Sequence, residues 1–285
     1  MKYSNIIQIA PGAIKNGFLE KPEELLKSLT DLKNKIVLIT GASAGIGAAC
    51  ANVFAAQGAK LILNARRETR IDELSDQLKK EFGIEIQKLI FDIRSLDQVK
   101  QAFNSLPEEW KNVDILVNNA GLAIGTDKFQ DADLADWEQV LDTNIKGLIY
   151  ITKEVLPNMI KRESGHIINL GSIAGREVYI GGNIYCATKF AVNAISKAIR
   201  ADTLDKKIRV SSVDPGMVET EFSIVRFRGD EEKAKNVYKG LQPLTPEDIA
   251  DAVLFCATRP PHVNINEILL TPLAQASAFY AVREE

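Results

Sequence analysis

Hydrophobic residues between positions 35 and 272 fall into short, uninterrupted runs rich in Ile, Val and Leu. Such runs are typical of parallel strands that are buried on both faces. They are KIVLIT (35–40), KLILN (60–64), IQKLIF (86–91), VDILVNN (113–119), GHIINLGS (165–172), IRVSSVDP (208–215) and NEILLTP (266–272). Longer segments of mixed polarity separate them and predict helices at 46–57, 68–82 and 187–204. This alternation predicts an α/β fold, a doubly wound parallel sheet of about seven strands with helices on both faces.

The same pattern divides the chain into three parts. Residues 1–34 precede the first strand, and Leu25, Leu29 and Leu32 recur there at helical spacing, so we predict an N-terminal extension with a short helix. Residues 35–272 contain no linker-like stretch and are expected to form a single domain. Residues 273–285 are expected to form a C-terminal tail.

Composition and charge exclude several classes of protein. The 285 residues are 46% hydrophobic and 26% charged, which is ordinary for a globular protein, and the net charge of -3 offers no basic face to nucleic acid. No apolar run approaches the roughly 20 residues of a membrane span. Cys50, Cys186 and Cys256 are isolated, so we expect neither disulfides nor a zinc site, and a cytoplasmic location. His166 and His262 have no partner at metal-ligand spacing, so no metal is expected.

A glycine-rich turn, TGASAGIG at 40–47, separates the first predicted strand from the first predicted helix. Glycines allow a tight turn and a close approach by a ligand, and the helix N-terminus offers unpaired N–H groups to a pyrophosphate. The spacing differs from the usual G-x-G-x-x-G, and glycine is frequent in any strand-to-helix turn. In this βαβ setting the turn predicts a Rossmann dinucleotide site, with contacts from Gly41, Ser43, Gly45, Ile46 and Gly47.

The end of the second predicted strand bears on the choice of cofactor. NAD sites often place an acidic residue here to bind the ribose 2′-hydroxyl, whereas this chain has Asn64, Ala65, Arg66 and Arg67. A guanidinium pairs with a 2′-phosphate, which a carboxylate would repel. We therefore predict NADP(H) as the cofactor, with Arg66 the better placed of the two arginines. A solvated basic pair at a helix start is the alternative.

A tyrosine and a lysine are the candidates for acid–base chemistry, since neither of the two histidines is placed for it. Tyr185 and Lys189 are four residues apart near the start of a predicted helix, which places them on one face. They follow Ser172, which lies at the carboxyl end of a predicted strand, where ligands bind in open α/β sheets. A phenol is a weak acid–base group at neutral pH, and a nearby ammonium is expected to lower its pKa. Ser172 is expected to hold a substrate oxygen.

Taken together, these motifs resemble the short-chain dehydrogenase/reductase family over about residues 35–272. The resemblance rests on their order and spacing, which are specific as a set although each motif alone is common. The motifs are TGASAGIG (40–47), NNAG (118–121), Asn144 within DTNIKG, Ser172, YCATK (185–189) and DPGMVET (214–220).

The family resemblance implies a role for each matching residue. Tyr185 would be the general acid in reduction and the base in oxidation, Lys189 would lower its pKa and hold the nicotinamide ribose, and Asn144 would hold a water that relays protons. Asp92 and Ile93 would flank the adenine. The remaining cofactor contacts would come from Asn119, Ala120 and Gly121 in the central groove and from Pro215, Gly216, Val218 and Thr220 at the nicotinamide.

Within the family, the chain is similar to NADP-dependent 3-hydroxy acid dehydrogenases, which act on serine, L-allo-threonine and related compounds. The likeness includes the run VETEFSIVRFRGDEEKAKNVY (218–238), where the family has its substrate lobe, here about residues 217–242. Arg226 in that run could grip a substrate carboxylate through two hydrogen bonds. Arg228 would share its side only in an extended segment. Solvated surface arginines are the alternative for both.

Two other functions compete with this hypothesis. A broad NADPH-dependent carbonyl reductase acting on neutral ketones would use the same catalytic residues and leave Arg226 incidental. A cofactor-sensing protein without turnover is less favoured, because all four catalytic residues are present. By analogy with the family, whose members pair through long helices next to the catalytic tyrosine, we expect a homotetramer or homodimer. The predicted helix at 187–204 carries Phe190, Ile195 and apolar neighbours that fit burial either against the sheet or against a partner.

Overall fold

A computed structural model describes residues 29–284 as one α/β domain built on a single sheet. All seven strands are parallel, in the order β3-β2-β1-β4-β5-β6-β7. They are β1 (Ile36–Thr40), β2 (Lys60–Ala65), β3 (Ile86–Ile90), β4 (Ile115–Asn118), β5 (Gly165–Leu170), β6 (Ile208–Pro215) and β7 (Glu267–Leu270). The predicted fold class is confirmed, including the seventh strand.

Helices connect successive strands. They are α1 (Gly45–Ala56), α2 (Glu68–Phe82), α3 (Leu96–Ser105), α4 (Leu134–Leu141), α5 (Leu148–Arg162), α6 (Asn183–Asp202), α7 (Glu221–Arg226), α8 (Glu231–Asn236) and α9 (Pro246–Thr258). Of the predicted helices, α2 has the predicted bounds, whereas α6 begins four residues before position 187. Its N-cap is Gly182, without a side-chain cap, so the sequence carries no start signal at that point.

The two faces of the sheet pack against different helices. Val37 and Ile39 in β1 belong to a core cluster with Phe54 of α1, whereas Leu38 belongs to a second cluster with Ile151 of α5. Successive residues of a strand point to opposite faces, so a continuous apolar run is what a sheet covered on both sides requires. This packing explains why the strands were recognisable as short apolar runs.

The strand order reverses at β1, which places the site. β1 pairs with β2 on one side and with β4 on the other. The loops that follow β1 and β4 therefore leave the sheet toward opposite faces and open a crevice at their carboxyl ends. The glycine-rich turn and the NNAG motif follow these two strands, so both border this crevice.

Most of the N-terminal extension lies outside the described residues, and so does the greater part of its predicted helix. The described residues beyond β7 run back over the segment that contains α7 and α8. There Arg283 donates to the carbonyls of Val237 and Lys239, and the Glu284 N–H donates to the Gly240 carbonyl at 2.7 Å. Among residues 29–284, no helix has the length and hydropathy of a membrane span, and no cluster of His, Cys, Asp or Glu is arranged to hold a metal ion.

Candidate active site

The glycine-rich turn packs too closely for side chains at several positions. Gly41 and Gly45 have φ of 64° and 52°, a region that glycine adopts without strain. A Cβ on Gly47 would lie 2.3 Å from the Gly41 carbonyl oxygen and 2.5 Å from Nδ2 of Asn119. Gly47 therefore lets α1 approach the turn, which leaves the first turn of that helix facing the crevice.

The start of α1 provides the features that a phosphate group needs. Ala44 is its N-cap and gives no side-chain hydrogen bond, so no side-chain cap occupies the first-turn N–H groups. Ser43, Gly45 and Ile46 line a cavity of about 650 Å³ that runs across the carboxyl ends of the strands. Backbone N–H groups and a helix dipole at the wall of such a cavity fit a dinucleotide pyrophosphate.

Basic side chains surround one end of this cavity. Arg67 donates to Oγ of Ser43 through Nε (3.2 Å) and Nη2 (3.0 Å), while Arg66 lies 3.8 Å from Asp92. Burial raises the pKa of Asp92, but hydrogen bonds from the backbone N–H, Nε and Nη2 of Arg94 lower it overall. The structure thus brings Arg67, rather than the favoured Arg66, against the glycine-rich turn. Both arginines remain at the cavity wall.

Thr40 and Asn119 fix the two loops that border the crevice. The Thr40 hydroxyl accepts from the N–H groups of Asn119 (3.1 Å) and Ala120 (3.0 Å), and Nδ2 of Asn119 donates to the Thr40 carbonyl at 2.9 Å. Asn119, Ala120 and Gly121 all line the cavity. The NNAG motif therefore serves as a wall of the cavity as well as a strand end.

Asn144 lies behind that wall, in a π-helical turn formed by Asp142–Gly147. Its side chain is engaged in three hydrogen bonds: Oδ1 accepts from the Leu122 N–H (2.9 Å), and Nδ2 donates to the Leu122 carbonyl (2.9 Å) and to the Thr188 hydroxyl (3.0 Å). Asn144 thus ties the loop after β4 to α6. Neither Asn144 nor Gly47 lines the cavity, in contrast to every other predicted site residue.

Ser172, Tyr185 and Lys189 meet at the middle of the cavity. Ser172 is buried and follows β5, and its hydroxyl accepts from the Ala174 N–H at 3.1 Å. Nζ of Lys189 lies 5.9 Å from the centre of the Tyr185 ring and donates to the Leu170 carbonyl at 2.8 Å. The helix α6 holds Tyr185 and Lys189 on one face, as their spacing predicts.

The pKa values of this group depart from the sequence expectation. Burial raises the pKa of Tyr185 above its ordinary value near 10, and the hydrogen bond with Ser172 opposes that shift only in part. The ammonium of Lys189 donates to the Leu170 carbonyl in this arrangement, so its expected role in lowering the pKa of Tyr185 stays a prediction. Burial also lowers the pKa of Lys189 itself to about 8, against the attraction of Asp214.

A second cluster closes the other end of the cavity. Arg226, the last residue of α7, donates from Nη1 to the Tyr179 hydroxyl at 2.9 Å and from Nε to the Gly125 carbonyl at 3.3 Å. Its guanidinium carbon lies 5.8 Å from the centre of the Tyr185 ring. Arg228 instead pairs with Asp136 at the surface, because the helix ends at Arg226 and the chain turns at Arg228, whose φ is 56°.

Several cavity residues carry no signal in the sequence. Tyr179 lies in an irregular loop, Phe222 packs its ring 5.6 Å from that of Tyr185, and Gln275 enters from beyond β7. Oε1 of Gln275 accepts from the Met217 N–H at 2.8 Å, within the loop that holds Pro215, Gly216, Val218 and Thr220. Motif spacing does not predict such contacts, because the residues that form them lie far apart along the chain or outside any motif.

The amino-acid sequence is similar to proteins of known family. Residues 35–230 match the protein family described as short chain dehydrogenase. This chain belongs to the short-chain dehydrogenase/reductase family. It is 44% identical over 258 residues to the NADP-dependent 3-hydroxy acid dehydrogenase of Schizosaccharomyces pombe, covering 90% of this chain and 100% of that protein. It is 46% identical over 244 residues to the NADP-dependent 3-hydroxy acid dehydrogenase of Escherichia coli (strain K12), covering 85% and 97%.

A solved structure shows the same likeness in three dimensions. The closed form of serine dehydrogenase complexed with NADP+ superimposes with a TM-score of 0.81 at 46% identity, covering 88% of this chain and 100% of that one. As a short-chain dehydrogenase/reductase, the protein is an oxidoreductase that acts on CH–OH groups. The resemblance noted from the motifs is confirmed at the level of the family.

Proposed function

We propose that the protein is an NADP-dependent oxidoreductase that transfers a hydride between NADP(H) and the 3-hydroxyl or 3-oxo group of a short hydroxy acid, such as serine or L-allo-threonine. The observation that carries this proposal is the position of Arg226, whose guanidinium carbon lies 5.8 Å from the centre of the Tyr185 ring inside the cavity. A carboxylate bound there would hold its neighbouring carbons near the phenol. The relatives named for 3-hydroxy acids and for serine support this substrate class.

The cavity fits NADP(H). The uncapped start of α1 and the glycines of the turn would hold the pyrophosphate, and Ser43 with Arg67 and Arg66 would hold the 2′-phosphate. Asp92 and Ile93 would lie beside the adenine, and the loop from Pro215 to Thr220 would hold the nicotinamide. When bound, the nicotinamide accepts or supplies the hydride.

The residues around Tyr185 handle the proton. In reduction, the neutral phenol donates its proton to the carbonyl oxygen as that oxygen becomes a hydroxyl, and in oxidation the phenolate takes the proton back. The Ser172 hydroxyl would donate a hydrogen bond to the same oxygen, which stabilises negative charge that develops there. Lys189 would hold the ribose and provide positive charge to the phenolate, once its ammonium turns from the Leu170 carbonyl.

Substitution of Arg226 tests the substrate class. Arg226→Ala should raise the KM for L-serine by roughly 10- to 100-fold, because a hydrogen-bonded charge partner of the carboxylate is lost. The KM for L-serine methyl ester, which lacks the carboxylate, should change by less than about 3-fold. Arg228→Ala is the matched control, because that arginine pairs with Asp136 outside the cavity, and it should behave as the wild type. Equal losses for acid and ester would contradict the proposal.

The same assay distinguishes the alternative, a carbonyl reductase for neutral ketones. Phe222 and the apolar residues Ile180 and Val225 line the cavity beside Arg226, which is the observation in favour of a larger uncharged substrate. A kcat/KM that is higher for a neutral aryl ketone than for L-serine, with no effect of Arg226→Ala, would support this second function. A protein that binds NADPH without oxidising it in the presence of either substrate would be a cofactor-sensing protein.

Assembly and location belong to the same proposal. We infer a homotetramer or homodimer, supported by large apolar residues that remain exposed on two helices, Ile149 on α5 and Phe190 on α6. Light scattering coupled to size-exclusion chromatography tests this, and a monomeric mass would contradict it. The cytoplasm remains the predicted location, in keeping with three buried cysteines that form no disulfide.

A further inference from the structure

Glu221 joins two parts of the molecule that lie far apart in sequence. It is the first residue of α7, in the segment that also carries Arg226. Its Oε2 accepts from Nη1 of Arg67 at 2.9 Å, and its Oε1 accepts from Nη1 of Arg70 at 2.5 Å. Arg67 and Arg70 belong to the start of α2, next to the glycine-rich turn. The carboxylate therefore joins the start of α7 to the start of α2 at the wall of the cavity.

Arg67 meets its two partners with different donors. Nε and Nη2 both point at Oγ of Ser43, and Nη1 alone is used for Glu221. A guanidinium presents five N–H groups in a fixed fork, and one edge of that fork matches two phosphate oxygens. A 2′-phosphate would take the place of Ser43 on that edge, while Nη1 keeps its contact with Glu221. One arginine can hold the phosphate and α7 at the same time.

The strength of the ion pair between Arg67 and Glu221 depends on how firmly the Arg67 side chain is held in place. The side chains of Arg67 and Glu221 are 47% and 42% exposed, and an exposed ion pair contributes little by itself because a long side chain must be fixed in one geometry. Hydrogen bonds from Arg67, ahead of those from Arg70, lower the pKa of Glu221, so it is ionised at neutral pH. A phosphate bound on the other edge would fix Arg67 and thereby strengthen its hold on Glu221.

We propose that Glu221 is a specificity-determining residue that, through Arg67, makes the position of α7 depend on the 2′-phosphate of the bound dinucleotide. The inference rests on the proposed function, since it requires NADP(H) in the cavity. α7 begins at Glu221 and ends at Arg226, so holding its first residue restricts the backbone position from which Arg226 reaches the proposed substrate. Coupling between binding sites is reciprocal, so an ordered α7 also tightens the 2′-phosphate site.

The test compares two dinucleotides that differ only in the 2′-phosphate. Dissociation constants for NADP+ and NAD+ are measured by calorimetry, and hydrogen exchange is followed in residues 219–227 at saturation with each. In the wild type, NADP+ should protect this segment more than NAD+ does. In Glu221→Gln that difference should vanish, and the Kd for NADP+ should rise by roughly 3- to 5-fold while the Kd for NAD+ is unchanged.

Two further variants make the test specific. Glu232→Gln removes the same charge from the exposed side of α8, away from the cavity lining, so this variant should match the wild type. Arg67→Lys keeps the charge but lacks the forked guanidinium, so its single ammonium cannot bind the 2′-phosphate and the Glu221 carboxylate in the same way. The extra protection by NADP+ should therefore be lost.

Three results would overturn the inference. Tighter NADP+ binding by Glu221→Gln would mean that the carboxylate competes with the phosphate for Arg67. Equal weakening for NADP+ and NAD+ would mean that Glu221 only supports the fold. A wild type that binds both dinucleotides equally would overturn the cofactor assignment and the inference together. Failure of the substrate assignment alone would leave these binding and exchange results in place, so the two outcomes can be told apart.

Discussion

The Tyr179 hydroxyl lies 2.9 Å from Nη1 of Arg226, and the guanidinium carbon lies 5.4 Å from the centre of the Tyr179 ring. The tyrosine therefore contacts the arginine through both its hydroxyl and its ring. Because Arg226 has several side-chain torsions, this contact restricts where the guanidinium can point. Tyr179 is accordingly a positioning residue for whatever Arg226 binds.

Tyr179→Phe keeps the ring and removes only that hydroxyl. Arg226 should become less ordered, and the KM for L-serine should rise by roughly 3- to 10-fold with a smaller change in kcat. The reason is that the hydroxyl acts on binding of the carboxylate and not on the reacting carbon. Steady-state kinetics with L-serine and its methyl ester measure the effect. A kcat that falls equally for both substrates would instead place Tyr179 in the chemical step.

Tyr185→Phe should abolish turnover without loss of cofactor binding. The phenylalanine keeps the ring contact with Phe222, whose centre lies 5.6 Å away, but has no proton to transfer. We expect kcat to fall by about 10²- to 10⁴-fold. NADPH binding, measured by fluorescence, should stay within about 2-fold of the wild type, since the hydroxyl is not part of the phosphate contacts. Substantial residual turnover would mean that another group supplies the proton.

Lys189 should make stability depend on pH in a defined direction. Burial lowers the pKa of Lys189 to about 8, below its ordinary value of 10.5, so between these values the unfolded chain binds more protons than the folded chain. Stability then rises with pH across this range. Relative to Lys189→Met, the free energy of unfolding of the wild type should increase by roughly 2–3 kcal/mol from pH 7 to pH 10.

Urea unfolding of both proteins at several pH values measures this difference, and subtraction removes the titration of other groups. The variant also removes the hydrogen bond with the Leu170 carbonyl, but that loss is nearly independent of pH. A difference that stays flat between pH 7 and pH 10 would show that the ammonium is solvated in the folded protein.

Removing the ion-pair partner of Asp214, Arg176, should lower the stability of the fold. Its carboxylate is fully buried and accepts from Arg176 through Nε (3.1 Å) and Nη2 (2.6 Å). Arg176→Met should lower the free energy of unfolding by about 3 kcal/mol, because a buried charge loses its counter-ion. Adding Asp214→Asn should restore part of that loss. Chemical denaturation measures both variants.

Lys197→Met is the control for the Arg176 substitution. Lys197 pairs with Glu267, as Arg176 also does, but its side chain is 71% exposed. We expect a change of less than about 1 kcal/mol. If the Arg176 and Lys197 variants were equally stable, the pair with Asp214 would contribute no more than a surface ion pair.

Local spacing explains why much of the fold and part of the site were predictable from sequence. Buried parallel strands form continuous apolar runs, and Tyr185 and Lys189 share a helix face because they are four residues apart. The glycine-rich turn was recognisable because Gly41 and Gly45 adopt positive φ. In each of these cases the physical requirement acts on residues close together in the chain.

The remaining contacts join residues that no local rule connects. Glu221 and Arg67 are 154 residues apart, and Arg226 rather than Arg228 faces the cavity because the helix ends at Arg226 and the chain then turns. The pKa of Tyr185 depends on how deeply its neighbours bury it. The sequence identifies the motifs that meet at the crevice. The side chains that orient those motifs, and that set their pKa values, are brought there by packing between distant parts of the chain.

The contact between Gln275 and Met217 has a practical consequence for engineering. Gln275 is 5% exposed, and its carbonyl oxygen holds the loop that is expected to contact the nicotinamide. A Cβ on Gly216 would lie only 2.2 Å from that oxygen, so the residues beyond β7 are fitted closely to the reaction end of the cavity. We therefore expect that exchanging this short segment between relatives would shift the loop from Pro215 to Thr220, while the strands and α6 stay unchanged.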